Sequence, residues 1–295
     1  MFGAYVLYAR LLSQVKRVRP ITYIASYPRS GNTFVRTLLA NYLDDGGQMV
    51  TPKAVAFFGV GEKIEPLWQA CTGQDWRQRT LETEWRARKA YLDGVRALPG
   101  EGPVFLKTHT LNGSIFDTPA FFFEPADRIV YVVRHPLDVL VSGAHFFETD
   151  IETMAGRLLA SGAFNTTPAG HFEVVGAWVE HVGGWMTETR CPLLIVRYET
   201  LLATPDLELA RILRFLDVFP EPARIERALR HSAFEAQQAA HAEEGFDQGP
   251  GRDPRHVFYR EGKAGRWRRV LPPEVVDRTV EAIGPYMAAF GYERA

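Results

Sequence analysis

Two cysteines in 295 residues, Cys71 and Cys191, exclude a disulfide framework, and their separation matches no metal-ligand spacing. Both read as packing residues; a reducing cytosol is the simpler setting, so a cytoplasmic location is expected. A surplus of one charge is missing too: 34 basic side chains face 35 acidic ones, for a net charge of −1. Bulk attraction to nucleic acid is thereby excluded as a partner class. No transmembrane segment is expected either. The first twenty residues, MFGAYVLYARLLSQVKRVRP, hold a short apolar patch followed by basic residues, the reverse of a signal peptide's order. They are expected to form an amphipathic lead-in helix over 1–20, with weak membrane-surface contact open to Lys16, Arg17 and Arg19. Internal repeats and dividing linkers are also absent, so 1–295 reads as a single domain.

What is present is apolar material in short, regularly placed runs. Hydrophobic residues make up 46 % of the chain, enough for a sizeable core. ITYIAS precedes FVRTLLANYL, RIVYVVRH precedes PLDVLVSGAHFF, and CPLLIVRYE precedes LELARILRFLDV, with PVFLKTHT as a further run. Runs of this length, rich in Ile, Val, Leu, Tyr and Phe and bounded by turn residues, read as buried parallel strands. Strands separated by helices predict an α/β three-layer, P-loop-like fold, with a central, mostly parallel sheet flanked by helices. The pattern breaks between Asp44 and Gly61, around GGQ and TPK. It breaks again in HAEEGFDQGPGRDPRH, 241–256, which reads as a surface loop, either a lid or simply disordered.

The stretch SYPRSGNTF, Ser26 to Phe34, joins the first strand to its helix. A strand, a glycine-containing turn and a helix N-terminus offer unpaired N–H groups where the helix dipole favours an anion. Arg29 adds a planar, permanently charged donor fork. The Walker A pattern is absent, because Asn32 follows Gly31 where lysine is needed and the first glycine is missing. An ordinary ATP or GTP site is thereby disfavoured, while a purely structural βα turn remains open on these residues alone.

SYPRSGNTF resembles the 5′-phosphosulfate loop of the sulfotransferases that use 3′-phosphoadenosine 5′-phosphosulfate (PAPS), commonly YPKSGTTW. PVFLKTHT resembles the strand with that family's K-T-H. RIVYVVRHPLDVLVSGAHFF resembles its 3′-phosphate segment, and FYREGKAGRW its late R-K-G-x-x-G-x-W loop. The four occur in the family's order and cover roughly Ile21 to Leu271.

The resemblance implies a role for each matching residue. Ser30, Gly31, Asn32 and Thr33 would hold the 5′-phosphosulfate, and Phe34 would stack near adenine. Arg29 stands where many cytosolic members have lysine, so it would stabilise the leaving phosphate by charge and hydrogen bonding without giving a proton. Lys107 would contact the bridging or sulfuryl oxygens, and His109 would be the general base. A neutral imidazole, with an ordinary pKa of about 6.5, suits that task. Arg134 and Ser142 would grip the 3′-phosphate, with Asp138 as a dipole-favoured or capping residue. Tyr198 and Ser232 would lie by the base, and Arg260, Glu261 and Gly262 would close over the 3′-phosphate. Glu261 departs from the family's lysine there; Trp267 would anchor the loop by packing.

The function that follows is sulfuryl transfer from PAPS, leaving PAP, to a hydroxyl or amine of a small-molecule, natural-product or glycan acceptor, without a metal. Phe57, Phe58, Phe146 and Phe147 are candidate acceptor-lining residues. The alternatives are an ATP-dependent phosphotransferase on the same loop, and a PAP-binding protein without turnover. The family's dimer motif, K-x-x-x-T-V-x-x-x-E, is absent from RWRRVLPPEVV, so the resemblance implies no oligomeric state.

Overall fold

The computed structural model describes residues 18–62, 64–162, 164–166, 172–244 and 262–293. In chain order its strands are β1 (Ile21–Ser26), β2 (Val60–Gly61), β3 (Val104–Thr108), β4 (Ser114–Ile115), β5 (Thr118–Pro119), β6 (Arg128–Val133), β7 (Phe164–Thr166), β8 (Phe172–Val174) and β9 (Leu193–Arg197). Five form one sheet in the order β2-β3-β1-β6-β9, every pairing parallel. The pairs β4–β5 and β7–β8 are short antiparallel ribbons. All four of the long parallel strands fall within runs expected to be strands, and β1 coincides with ITYIAS.

Side chains alternate across a strand, and here both faces are buried, so each strand feeds two cores. Ile21, Tyr23, Ile129, Tyr131 and Val133 face one core with Trp178, Trp185 and Phe121. Ile24, Val130, Val132 and Val196 face the other, packed with Leu38 and Leu39 from the helix Asn32–Leu43 and with Ile212 and Leu213 from the helix Pro205–Phe215. Helix, sheet and helix therefore make the three layers. Each fully buried Leu or Ile contributes about 1.5–3 kcal/mol by leaving water. Cys191 lies within the first core and Cys71 packs against it, and burial pushes both thiols up to about 12.

At the N-terminal edge of the sheet, Asp127 is fully buried. It accepts from the Ile21 N–H at 2.7 Å, the Glu124 N–H at 2.9 Å and both Arg96 Nη atoms at 2.5–2.6 Å. Four donors on one carboxylate fix where β1 enters the sheet. The Arg19 guanidinium donates to the carbonyls of Leu98, Pro99, Glu101, Gly102 and Pro103, so it staples the chain to a turn. Most of the expected lead-in helix, 1–17, lies outside the described residues, as do 245–256 of the expected loop. Residues 241–244 belong to the helix Phe234–Glu244, so the helix runs further than the composition implied. Among the described residues, no helix is long and apolar enough to cross a membrane.

Candidate active site

The candidate residues converge because they follow the carboxyl ends of parallel strands. SYPRSGNTF leaves β1, His109 follows β3, Arg134 follows β6 and Tyr198 follows β9. From β1 the chain moves to one side of the sheet, to β2 and β3, and from β6 it moves to the other, to β9. A crevice opens at such a reversal, which is where open α/β sheets bind ligands.

The loop after β1 is held in an unusual backbone. Arg29 has φ +68° and Gly31 φ +105°, both left-handed, and for a non-glycine such a conformation costs about 1–3 kcal/mol. Arg134 Nη1 secures it by donating to the Arg29 carbonyl at 3.1 Å. Gly31 is required twice over: besides its φ, an added Cβ would come within 2.5 Å of the Tyr198 ring. The close neighbour that demands glycine is thus a tyrosine of the chain itself. Gly31 caps the helix with no side-chain bond, and the first intrahelical bond is Val35 N–H to the Gly31 carbonyl at 3.2 Å. The N–H groups of Asn32, Thr33 and Phe34 precede that bond and have no side-chain cap. Ser30 is buried with its Oγ unpartnered, a polar atom that an anion would satisfy. Asn32 turns its Nδ2 back to the Ile24 carbonyl at 2.8 Å, so its side chain braces β1.

Beside the loop, Arg134 lies 4.5 Å over the Tyr198 ring and donates through Nη2 to the Lys263 carbonyl at 3.1 Å. It thereby ties the first loop to the late loop. Arg29 Nε donates to Ser142 Oγ at 3.2 Å, in the helix Pro136–Phe146, and its guanidinium lies 4.2 Å from the Phe146 ring centre. Arg29 is thus tied to the helix expected to carry the 3′-phosphate ligand Ser142. Asp138 is more than a dipole partner: its carboxylate accepts from the N–H groups of Gly265 (2.5 Å) and Trp267 (3.2 Å), fastening the late loop to this helix. Trp267 is buried and stacks on His135 at 5.1 Å, the anchoring role expected of it.

His109 has a defined tautomer. Its Nδ1 lies 2.8 Å from the Ser26 carbonyl, which can only accept, so Nδ1 carries the proton and Nε2 is left as the basic nitrogen. Ser26 Oγ is 3.2 Å from the same Nδ1. Burial, then the Lys107 charge, pushes His109 well below the ordinary imidazole value, so the ring is neutral near pH 7. Its backbone is clamped as well: fully buried His181 donates from Nε2 to the His109 carbonyl at 3.1 Å and accepts at Nδ1 from the Tyr131 hydroxyl at 2.9 Å. Thr110 donates to Glu62 at 2.7 Å, Glu62 pairs with buried Arg88, and Trp185 Nε1 bonds the Thr110 carbonyl at 3.1 Å. Lys107 lies 3.7 Å from a carboxylate that sequence reasoning passed over, Glu173 on β8. Among the described residues, no group of three His, Cys, Asp or Glu side chains is placed to hold a metal ion.

A family model described as "Sulfotransferase domain" matches residues 20–291, nearly the whole chain. The chain belongs to the sulfotransferase domain family. Among curated relatives it is 26 % identical to sulfotransferase 2A1 of Macaca fascicularis over 217 residues, 73 % of this chain and 65 % of that one. It is 23 % identical to the 3-alpha-hydroxysteroid sulfotransferase of Cavia porcellus, over 84 % of this chain and 76 % of the relative. The chain spans 65 % of the length of the Macaca fascicularis relative and 63 % of that of sulfotransferase 1B1 of Mus musculus. Solved structures share the fold. A retinol dehydratase with androsterone and the inactive cofactor PAP matches at TM-score 0.61 and 18 % identity, covering 97 % of this chain and 85 % of that one. Mouse SULT7A1 with PAP matches at TM-score 0.57 and 17 % identity, covering 95 % and 88 %.

Within this sulfotransferase-domain chain some expected residues stand apart from the cluster. Ser232 is buried, and its hydroxyl accepts from Asn41 Nδ2 at 3.3 Å, about 13 Å along the helix axis from Asn32. It serves the packing of the helix Asn32–Leu43. Two residues later Phe234 abuts Gly262, where an added Cβ would meet its ring at 2.7 Å. An aromatic so close to the late loop was legible in HSAFE and was missed. Phe34 is partly buried against the second core. Phe57 ends the helix Pro52–Phe57, and Phe58 packs on Phe105 at 5.0 Å in the core, so Phe58 faces sheet and not crevice. Phe146 backs Arg29, and Phe147 meets Phe146 edge-on at 5.0 Å. Arg260 and Glu261 lie outside the described residues.

Proposed function

We propose that the chain transfers a sulfuryl group from PAPS to the hydroxyl of a small, largely apolar acceptor, releasing PAP. The observation that carries this reading is His109: a neutral imidazole with Nδ1 committed to Ser26, its Nε2 left basic, on a strand end beside the uncapped loop. PAPS, when bound, supplies the activated sulfuryl group. The residues present fit it, since the loop offers unpaired N–H groups and an orphaned Ser30 hydroxyl. The N–H groups of Asn32, Thr33 and Phe34 would receive the 5′-phosphosulfate at the helix N-terminus. Arg134, Ser142 and Arg29 would receive the 3′-phosphate, and Tyr198 and Phe234 would flank the nucleoside.

His109 Nε2 accepts the acceptor's proton as the acceptor oxygen bonds to sulfur. The sulfur–oxygen bond to the 5′-phosphate breaks at the same time, and its electron pair stays with the phosphate. Lys107 and the loop N–H groups offset the charge that collects there. Relatives named for hydroxysteroids, and neighbours bound to retinol or androsterone, support an apolar alcohol as the acceptor class.

Thermal unfolding separates this reading from phosphoryl transfer. PAP should raise the melting temperature, by about 2.7 kcal/mol of stabilisation at a hundredfold excess over Kd, while ATP with magnesium should not. Stabilisation by ATP alone would overturn the donor assignment.

A further inference from the structure

Glu173 is a carboxylate in a place where the proposed chemistry brings an anion. Its side chain is 12 % exposed and lies 3.7 Å from Lys107 Nζ. It stands on the β7–β8 ribbon, paired with Asn165, between two residues whose backbones are fastened elsewhere. The Phe172 N–H donates to Glu84 at 3.4 Å, and the Val174 carbonyl accepts from the Leu111 N–H at 2.7 Å, two residues past His109. The backbone on either side of Glu173 is therefore fastened by bonds that its own charge does not make.

We propose that Glu173 is a positioning residue for the transfer: it holds the Lys107 ammonium, opposes the incoming sulfonate, and steadies the proton that His109 takes up. The proposal rests on the sulfuryl-transfer reading above. Among the described residues, the charged and titratable groups facing His109 are Lys107 from its own strand, Glu173 from the ribbon and His181 from the helix Trp178–Met186; Ser26 presents only its carbonyl and hydroxyl. Of these, Glu173 alone is an anion. Its charge reaches both imidazoles and favours the protonated form of each, against burial and against Lys107. The same charge acts in opposite directions at two stages. Before reaction it repels the sulfonate and competes for Lys107, which weakens donor binding. During reaction it stabilises the imidazolium, which speeds proton transfer. A residue that merely held the ribbon in place would shift both stages the same way.

The test compares wild type with Glu173→Gln and Glu173→Asp. PAPS and PAP are titrated separately by calorimetry without acceptor, and transfer of labelled sulfur to a panel of phenols and alcohols is followed across pH. Glu173→Gln is expected to bind PAPS about three- to tenfold more tightly, with PAP, which lacks the sulfonate, within about twofold. Turnover should fall about tenfold, and the acid limb of kcat/KM should move to lower pH. Glu173→Asp, which keeps the charge, should lie between the two. PAPS and PAP affinities that fall together, or wild-type affinity and turnover, would overturn the proposal. If Glu173→Gln does not fold, Glu173→Ala is read in the same way. Absence of transfer by wild type would sink the functional reading, while the PAPS-against-PAP split would still decide the role of Glu173.

Discussion

At His109, one carbonyl decides the chemistry. With Nδ1 bound to the Ser26 carbonyl, the neutral ring has only Nε2 to offer as a base. Ser26→Ala keeps that carbonyl and should cost turnover only a few-fold, since the tautomer survives. Stability should also report the buried imidazoles. His109, His135 and His181 all lie below the ordinary value, chiefly through burial, and His181 is at about 3. In the unfolded chain each takes up a proton near pH 6.5, while in the folded protein each stays neutral to lower pH. Stability is thus fully present above about pH 6.5 and is lost as pH falls toward the folded values, by about 1.4 kcal/mol per pH unit for each imidazole. Urea midpoints between pH 7 and 5 should fall accordingly. A flat profile would mean that these rings are solvated.

Among the elements, the first loop and the late loop behave as one unit through Arg134 and Asp138. Gly31→Ala meets both a left-handed φ and the Tyr198 ring, and should abolish PAP stabilisation while lowering stability by about 1–3 kcal/mol. Asp138→Ala leaves the loop N–H groups unpaired, and should weaken PAP binding with little effect on the sheet. Thermal shifts with and without PAP read both variants. What could be read from residue order differs by element for a physical reason. The long strands were legible because burial on both faces yields unbroken apolar runs such as RIVYVV. The two residues of β2 and the β7–β8 ribbon were not, because neither segment has a periodicity of its own and each is fixed by what it docks against. Glu173 went unseen for that reason. Ser232 was assigned by a motif match, which names neighbours in sequence, and Phe58 by its aromatic character alone, whereas Asn41 and Phe105 are their neighbours in space.

For the molecule as a whole, sheet order turns four separate motifs into one crevice. SYPRSGNTF, KTH, RHP and RYE are apart in sequence and meet only because β1, β3, β6 and β9 run parallel and end at one edge of the sheet. The opposite edge carries the Arg96–Asp127 pair, remote from the chemistry. Asp127→Ala strands a buried guanidinium and the Ile21 N–H, and should cost about 3–5 kcal/mol in urea unfolding. Wherever that variant folds, its PAP affinity should match wild type, because the damage lies at the far end of β1.

The central claim, that His109 is the base in a sulfuryl transfer from PAPS, is met most directly by following labelled sulfur from PAPS to an alcohol acceptor with wild type and His109→Ala. The account predicts transfer by wild type and a loss of about 10²–10⁴-fold in kcat for the variant, with PAP affinity unchanged. Wild-type turnover by His109→Ala would contradict it.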